Sequence, residues 1–474
     1  MLKLIRIFAF SSIIALAACK VGNDYKKPQF ANMPEAFKEA AKQDKKSEIE
    51  QNWWKNFNDP ILDKLVDIAL KDNIDIKIAA SRISQARAVA KVAKYDLLPT
   101  VNIKGDAVRQ GNRLVFGKAP FDLTKPFDSF QAGFDASWEL DLFGGKRREL
   151  ESRKAALESA KAESENAKIV IIAEIAKNYS EIRLYQNQIT SQKDIIKAAE
   201  NNLKIMQERF KVGNNNQSEV IEAQNSLSQS QSRLNSYQEL LTNSQYSLDI
   251  LLGGKIADAT NIIGDVKPIP LASGDFILAA PANIIAGRPD IKSAERKLAE
   301  AVAKHNVAIA GLFPDISLSG FFGLIASDES KLLQAGSKSY QFGGGLLFPI
   351  LNYSKISANI DFAKAESEEA ALNYRKSILT ALSDIEKSLS SYKKSDQNRI
   401  LADDTVKQNW HALEIADMRY KQGISSFVEV LQARKTLLDS QIDLADKNAK
   451  TTQNLIAVYK NLGGGWNLKQ ADKK

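Results

Sequence analysis

The chain has 474 residues, 44% hydrophobic and 26% charged, with only 12 prolines and 24 glycines, which excludes the disordered and collagen-like classes. Its formal charge is +8, but Lys and Arg are interleaved with Asp and Glu, so no concentrated basic block points to nucleic acid. One cysteine and two histidines exclude an internal disulfide and a metal set built from His and Cys, and the length corresponds to about three ordinary domains.

The chain opens as an export signal. Lys3 and Arg6 precede an apolar run from Ile7 to Ala18, which ends Leu16-Ala17-Ala18-Cys19. A positive start, a short apolar core and small residues at the cut are secretory features. The run falls well short of the ~20 residues that a spanning helix needs. Leu-Ala-Ala-Cys also resembles the bacterial lipobox, which implies a lipid on the Cys19 thiol. Lys20 stands where inner-membrane lipoproteins carry Asp, so the resemblance implies the outer membrane. No later apolar stretch reaches 18 residues, so any membrane span must be made of strands.

After Asp59-Pro60 the chain repeats itself. Asp75-Ile76-Lys77 and Leu98-Pro99 return as Asp290-Ile291-Lys292 and Phe313-Pro314. Arg209-Phe210-Lys211-Val212-Gly213 returns as Arg419-Tyr420-Lys421-Gln422-Gly423, and Glu219-Val220-Ile221 as Glu429-Val430-Leu431. Several anchors in the same order indicate a duplication. The expected organisation is a signal peptide over 1–18, an anchored extension over 19–60, one unit over 61–255, a connecting segment over 256–283, a second unit over 284–465 and a tail over 466–474.

Each unit predicts a helix, two strands, a very long helix, a glycine turn and a shorter helix. The first helices are expected over Ile74–Tyr95 and Ile291–Ala310. The strand runs alternate strictly: Phe130, Ala132, Phe134, Ala136, Trp138, Leu140 and Leu142 against polar neighbours, with Val101 to Ala107 as partner. In the second unit Ile316 to Leu324 and Tyr340 to Phe348 behave alike. An apolar and a polar face fit a membrane barrel, and equally an amphipathic sheet on a soluble core. Four strands cannot close a barrel, and an open edge is not tolerated in lipid, so membrane strands predict an oligomer.

The long helices are expected over Lys146–Lys211 and Ser354–Lys421, free of proline and each on the order of 100 Å at ~1.5 Å per residue. Ile175, Ile182, Ile189, Ile196, Leu203 and Phe210 recur every seven residues. Ala371, Ile378, Ile385, Tyr392, Val406, Leu413 and Tyr420 do the same, interrupted by Arg399. Such a repeat predicts side-by-side packing in coiled-coil fashion.

The turns at Gly213 and Gly423 suit a left-handed residue after a helix. Asn216 and Ser426 stand where the next helix is capped, with Glu219 and Glu429 at the capping-box spacing. The remaining candidates are weak. His305 and His411 lie in helical runs, Gly253-Gly254-Lys255 lacks the rest of a phosphate loop, and Gly343-Gly344-Gly345 lies in a strand.

Taken with Asn52-Trp53-Trp54, Leu140-Asp141-Leu142-Phe143-Gly144, Phe348-Pro349-Ile350 and Leu462-Gly463-Gly464-Gly465-Trp466, this layout resembles the TolC-like outer-membrane efflux family, in its lipoprotein branch serving resistance–nodulation–division pumps. The resemblance implies a mainly α protein with membrane β: a trimeric twelve-stranded β-barrel continued by a long periplasmic α-helical barrel. It implies a passive conduit without cofactor or catalysis, a periplasmic adaptor and a proton-driven inner-membrane transporter. It places Glu429 and Gln432 on rings at the closed periplasmic tip and sets Tyr420 across from Glu219. Gln432 stands where the family carries an acid, so the inner ring is expected to be uncharged. A type I protein-secretion conduit and a pore-less lipid-anchored scaffold are the competing readings.

Overall fold

The computed structural model describes residues 20–28, 34–38, 42–43, 52–111, 126–254, 258–272, 277–278 and 281–464. Cys19 and Trp466 lie outside them. The helices are α1 (Pro60–Asp72), α2 (Ile74–Tyr95), α3 (Gly145–Lys211), α4 (Gln217–Leu252), α5 (Asp258–Ile263), α6 (Pro281–Gly287), α7 (Pro289–Ala310), α8 (Tyr353–Lys421) and α9 (Phe427–Asn461). The main strands are β1 (Thr100–Gln110), β2 (Phe127–Leu140), β3 (Asp315–Ala326) and β4 (Lys338–Leu347). The sequence of elements α2-β1-β2-α3-α4 recurs as α7-β3-β4-α8-α9. The short α1 and α6 were not expected. Both begin at proline, whose fixed φ suits the first helical position, and Asp59 accepts from the Ile61 and Leu62 amides to cap α1.

Two compact units are formed. The unit of residues 1–28, 83–160 and 294–374 contains the sheet, a four-stranded antiparallel meander in the order β1-β2-β3-β4. β2 begins three residues earlier than its alternation suggested and ends at Leu140 instead of Leu142. Asp141 is the cause. Its carboxylate accepts from the Lys146 and Arg147 amides at 3.0 Å each, capping α3 from the preceding loop and drawing the chain out of the strand.

The same unit holds residues 20–28 as a strap across α3 and α7. Arg148 has a side chain only 1% exposed. Its guanidinium donates to the Val21 and Gly22 carbonyls and to Asp24 and Glu151, at 2.8–3.0 Å. Asn306 of α7 donates to the Asn23 carbonyl, and the Tyr25 hydroxyl donates to Glu295 at 2.6 Å. Burial opposes ionisation of Glu295, but hydrogen bonds from Arg296 and Tyr25 outweigh it and hold the carboxyl below its usual range.

Among its described residues, the unit of residues 29–82, 161–293 and 375–474 is helical, apart from one parallel pairing of Lys42–Gln43 with Ile277–Leu278. Its core joins Trp53, Trp54, Phe57, Leu62 and Leu65 to Ile171, Ile175, Ile182, Leu248, Leu455 and Tyr459. Trp53 stacks on Tyr459 at 5.0 Å. Within this core lies a buried charge, Arg183. Its guanidinium donates to the Tyr179 hydroxyl, to Gln186 and to the Asp265 and Ile263 carbonyls, at 2.6–3.2 Å. Tyr179 in turn donates to Asp59 at 2.5 Å. One side chain thus ties the start of α1 and the end of α5 to α3.

The seven-residue stripe on α3 is buried unevenly. Ile175 and Ile182 are fully buried, Ile189, Ile196 and Leu203 are half-buried, and Phe210 is exposed. On α8, Ile378 and Ile385 are buried, Tyr392, Val406 and Leu413 half-buried, and Tyr420 exposed. Arg399, the break in that stripe, finds its counter-charge one turn back at Asp396, 2.8 Å away.

Two predictions follow from these networks. Arg183→Ala leaves two carbonyls, Gln186 and the Tyr179 hydroxyl oxygen without the guanidinium donor, and should destabilise the helical unit by roughly 3 kcal/mol in chemical denaturation of the detergent-solubilised protein. Glu295 has a depressed folded-state pKa, so the stability it contributes is present above the ordinary carboxylate range and is lost as pH falls through the folded value. Glu295→Gln should therefore speed hydrogen exchange of residues 20–28 at neutral pH, with the difference from wild type vanishing in strong acid.

Candidate functional site

The two helical hairpins turn through the same chemistry. Gly213 and Gly423 adopt φ of +75° and +73°, the left-handed region. At the first turn the Gly213 amide donates to the Phe210 carbonyl and that of Asn214 to the Arg209 carbonyl. At the second, Gly423 donates to Tyr420 and Ile424 to Arg419. This double closure satisfies carbonyls that the end of a long helix leaves free. No other atom would lie within 4 Å of a Cβ on either glycine, so backbone conformation alone selects glycine there.

The caps differ between the copies. Asn216 caps α4, accepting from the Glu219 amide at 3.0 Å. Ser426 occupies the equivalent place before α9, but its side chain makes no cap hydrogen bond, and the Glu429 amide donates to the Ser426 carbonyl instead. The expectation of side-chain caps at both turns is corrected for Ser426. A backbone i to i+3 bond already satisfies the donor that the serine hydroxyl would have taken.

Glu219, Tyr420, Glu429 and Gln432 are all exposed. The Tyr420 ring lies 5.2 Å from that of Phe427. Among the described residues, no hydrogen bond joins Tyr420 to Glu219 within one chain. Glu429 and Gln432 do come together, in a groove of about 350 Å³ between α8 and α9 that Asn409, Ala412, Ala416, Ala433 and Thr436 complete. Alanines on both walls give the groove its depth, and the two polar side chains stand along it. His411 meets Glu414 at 3.1 Å on an exposed helix face.

The sheet presents the second functional surface. Val101, Ile103, Phe134, Trp138, Leu318, Phe322, Tyr340, Phe342 and Leu346 share one face, and every one is exposed. The opposite face carries Asn102, Lys104, Asp106, Gln131, Asp135, Ser317, Ser319 and Gln341. Strands of 11, 14, 12 and 10 residues are long enough to cross a bilayer, for which ~9–11 suffice. No described helix is long and apolar enough to do so. An uncovered apolar face of this extent is foreign to a sheet resting on a soluble core.

The family model described as outer membrane efflux protein matches residues 65–254 and 280–464. The chain belongs to that family. The pyoverdine export outer membrane protein OpmQ of Pseudomonas putida is 32% identical over 431 residues, spanning 89% of each chain. The solvent efflux pump outer membrane protein SrpC of the same species is 30% identical over 87% of each. Among solved structures, the Campylobacter jejuni CmeC outer membrane channel superposes with a TM-score of 0.88 at 26% identity, covering 96% of both chains. The outer-membrane channel OprN gives 0.84 at 27% identity, covering 94% of this chain and 100% of its own. The protein is thus an outer-membrane efflux channel component with the fold of the TolC-like channels. Its family is one of transport conduits.

What sequence reasoning missed in this outer membrane efflux protein is the groove. Ala412 and Ala416 read only as ordinary helix formers, and their partners Gln432 and Ala433 belong to the next helix. A turn prediction follows: Gly423→Ala forces a side chain into a left-handed conformation and should destabilise the α8–α9 turn by about 1–2 kcal/mol. Faster amide exchange confined to residues flanking 423 is the expected readout, with Gly423→Asn milder.

Proposed function

We propose that three copies of this chain close a twelve-stranded barrel in the outer membrane and serve as the passive conduit of a tripartite efflux system. The uncovered apolar face of a four-stranded sheet carries this reading. Among the described residues, β1 and β4 are edge strands, each with one side unpaired within the chain. Lipid cannot satisfy those backbone groups, so the edges must pair with other copies. A pore-less scaffold has no use for such a face. The names of the relatives, a pyoverdine export protein and a solvent efflux pump component, favour small molecules over secreted proteins as cargo.

A periplasmic adaptor and an inner-membrane resistance–nodulation–division transporter would load the conduit, and a lipid on Cys19 would hold the chain to the outer membrane. The chemistry of export needs no catalytic group and no cofactor from this chain, since the pump supplies the driving force. At the periplasmic turns, Glu429 from three copies would ring the axis as a negative constriction. Gln432 leaves the adjacent ring neutral, so cation selectivity would be weaker than two acidic rings give. The Tyr420 hydroxyl, free to reach outside its own chain, would meet Glu219 of a neighbouring copy and lock the turns.

Heat-sensitive trimer migration in detergent, together with conductance in planar bilayers, tests the conduit. A soluble monomer without conductance refutes it. For the lock, Tyr420→Phe removes a hydrogen bond to a charged group worth about 1.5–3 kcal/mol, which should raise the open population roughly tenfold or more. Unchanged single-channel conductance and open time would sink the lock while leaving the conduit intact.

A further inference from the structure

One aromatic side chain on the polar face of the sheet is buried. Phe321 of β3 is 6% exposed, whereas its neighbour Phe322 on the apolar face is 64% exposed. Alternation places Phe321 with Ser319 and Gly323, opposite Asp135 and Gln341. Its cover is the absence of two side chains. Gly133 of β2 pairs directly with Gly323 of β3. A methyl group on Gly133 would stand 2.9 Å from Phe321 Cε2, and one on Gly323 would stand 2.7 Å from Phe321 Cζ. The same methyl groups would meet backbone, at 2.6 Å from Gly323 Cα and 2.4 Å from the Ala132 carbonyl. The two glycines thus form a slot, and the ring occupies it.

The place of this slot gives it meaning. The β2–β3 seam is the one junction in the sheet between the first repeat and the second. A slip of one residue along it would exchange the polar and apolar faces and is strongly disfavoured. A slip of two residues keeps every side chain on its proper face, so polarity offers little resistance to it. Glycine-rich strands specify register weakly, and this seam carries Gly133, Gly320 and Gly323. In a two-residue slip Gln131 would stand opposite Gly323 in one direction and Asp135 in the other, and in both the slot would no longer exist. An aromatic ring packed over strand glycines is a known means of pinning register.

We propose that Phe321 is the register key of the seam between the repeats: its ring in the Gly133–Gly323 slot excludes the two-residue slip. The ring is also packed against the wall, out of the water-filled bore. That second statement rests on the polar face lining a lumen, as proposed above; the first does not.

Cysteine pairs read the register within one chain. Ser137 faces Ser319 in the native pairing and would face Ser317 in the slip that sets Gln131 opposite Gly323. Directly opposed residues sit ~4.5–5.5 Å apart and diagonal ones ~7–8 Å, so a disulfide separates the two. The full-length protein in lipid vesicles is oxidised, and the heat-denatured chain is run with and without reductant. Single-cysteine controls report any bridge to Cys19. The expected result is cross-linking of Ser137→Cys/Ser319→Cys alone in the otherwise native chain, and a several-fold rise of the Ser137→Cys/Ser317→Cys bridge when Phe321→Ala is added. Phe321→Tyr should restore the native pattern. Exclusive native cross-linking with Phe321→Ala in place would overturn the proposal. If that variant does not fold, Phe321→Leu, which has no ring to occupy the slot, is read by the same two outcomes. A chain that cross-links natively but never forms a trimer would remove the lumen and leave the key standing.

Discussion

Hydrocarbon offers no hydrogen bonds, and a strand that enters it must spend every backbone N–H and C=O on a neighbouring strand. That constraint governs how this chain can exist. Its sheet has four strands, an uncovered apolar face and two unpaired edges. Alone it is an incomplete object, since each unpaired backbone group in lipid costs several kcal/mol. On the proposed reading, barrel closure and association are one event. The half-buried and exposed residues of the seven-residue stripes on α3 and α8 fit the same logic in water: in the proposed trimer, helices of neighbouring copies would cover their apolar surface.

Two buried arginines hold the chain ready for that event. Arg148 and Arg183 lie on the same long helix, one at its start and one in the helical core. Each donates half of its four hydrogen bonds to backbone carbonyls outside its own helix, at Val21 and Gly22 in one case and at Ile263 and Asp265, the end of α5 and the loop after it, in the other. A guanidinium suits the task because its five donors are fixed in a planar fork and it keeps its charge. Fully satisfied, it turns loops that contribute little apolar burial into fixed parts of the structure. Left with fewer partners it would be among the costliest groups in the molecule.

The large elements were legible because period carries them. The alternation of β2 and the proline-free heptads of α3 and α8 fixed element type, and the bounds of α2 emerged to the residue because Asn73 both ends α1 and caps α2. The turns were legible as well, since Gly213 and Gly423 need a conformation that other residues resist. What escaped depends on contacts remote in sequence. Arg183 sits between Ile182 and Leu184 with nothing local to mark it as buried, and its carbonyl partner at Asp265 is 82 residues away. Asp141 looked like one more polar position in an alternating strand, yet its carboxylate ends that strand. The roles of Glu219 and Glu429 divide in the same way. Spacing identified a helix start at both, and only Asn216 makes the side-chain cap.

The uneven burial of the α3 stripe has a mechanical meaning. Apolar burial is complete at Ile175 and Ile182, partial through Leu203 and least at Phe210, which is 46% exposed. Local opening free energy follows such contact, from the global value in a core to near zero at a frayed end. The stripe therefore behaves as a zip with a welded end and a loose one. Within a single chain, separation of the helices can start at the hairpin turns and travel inward only until it meets the isoleucine core, so the segment toward the turns is the part that a neighbouring copy has to hold.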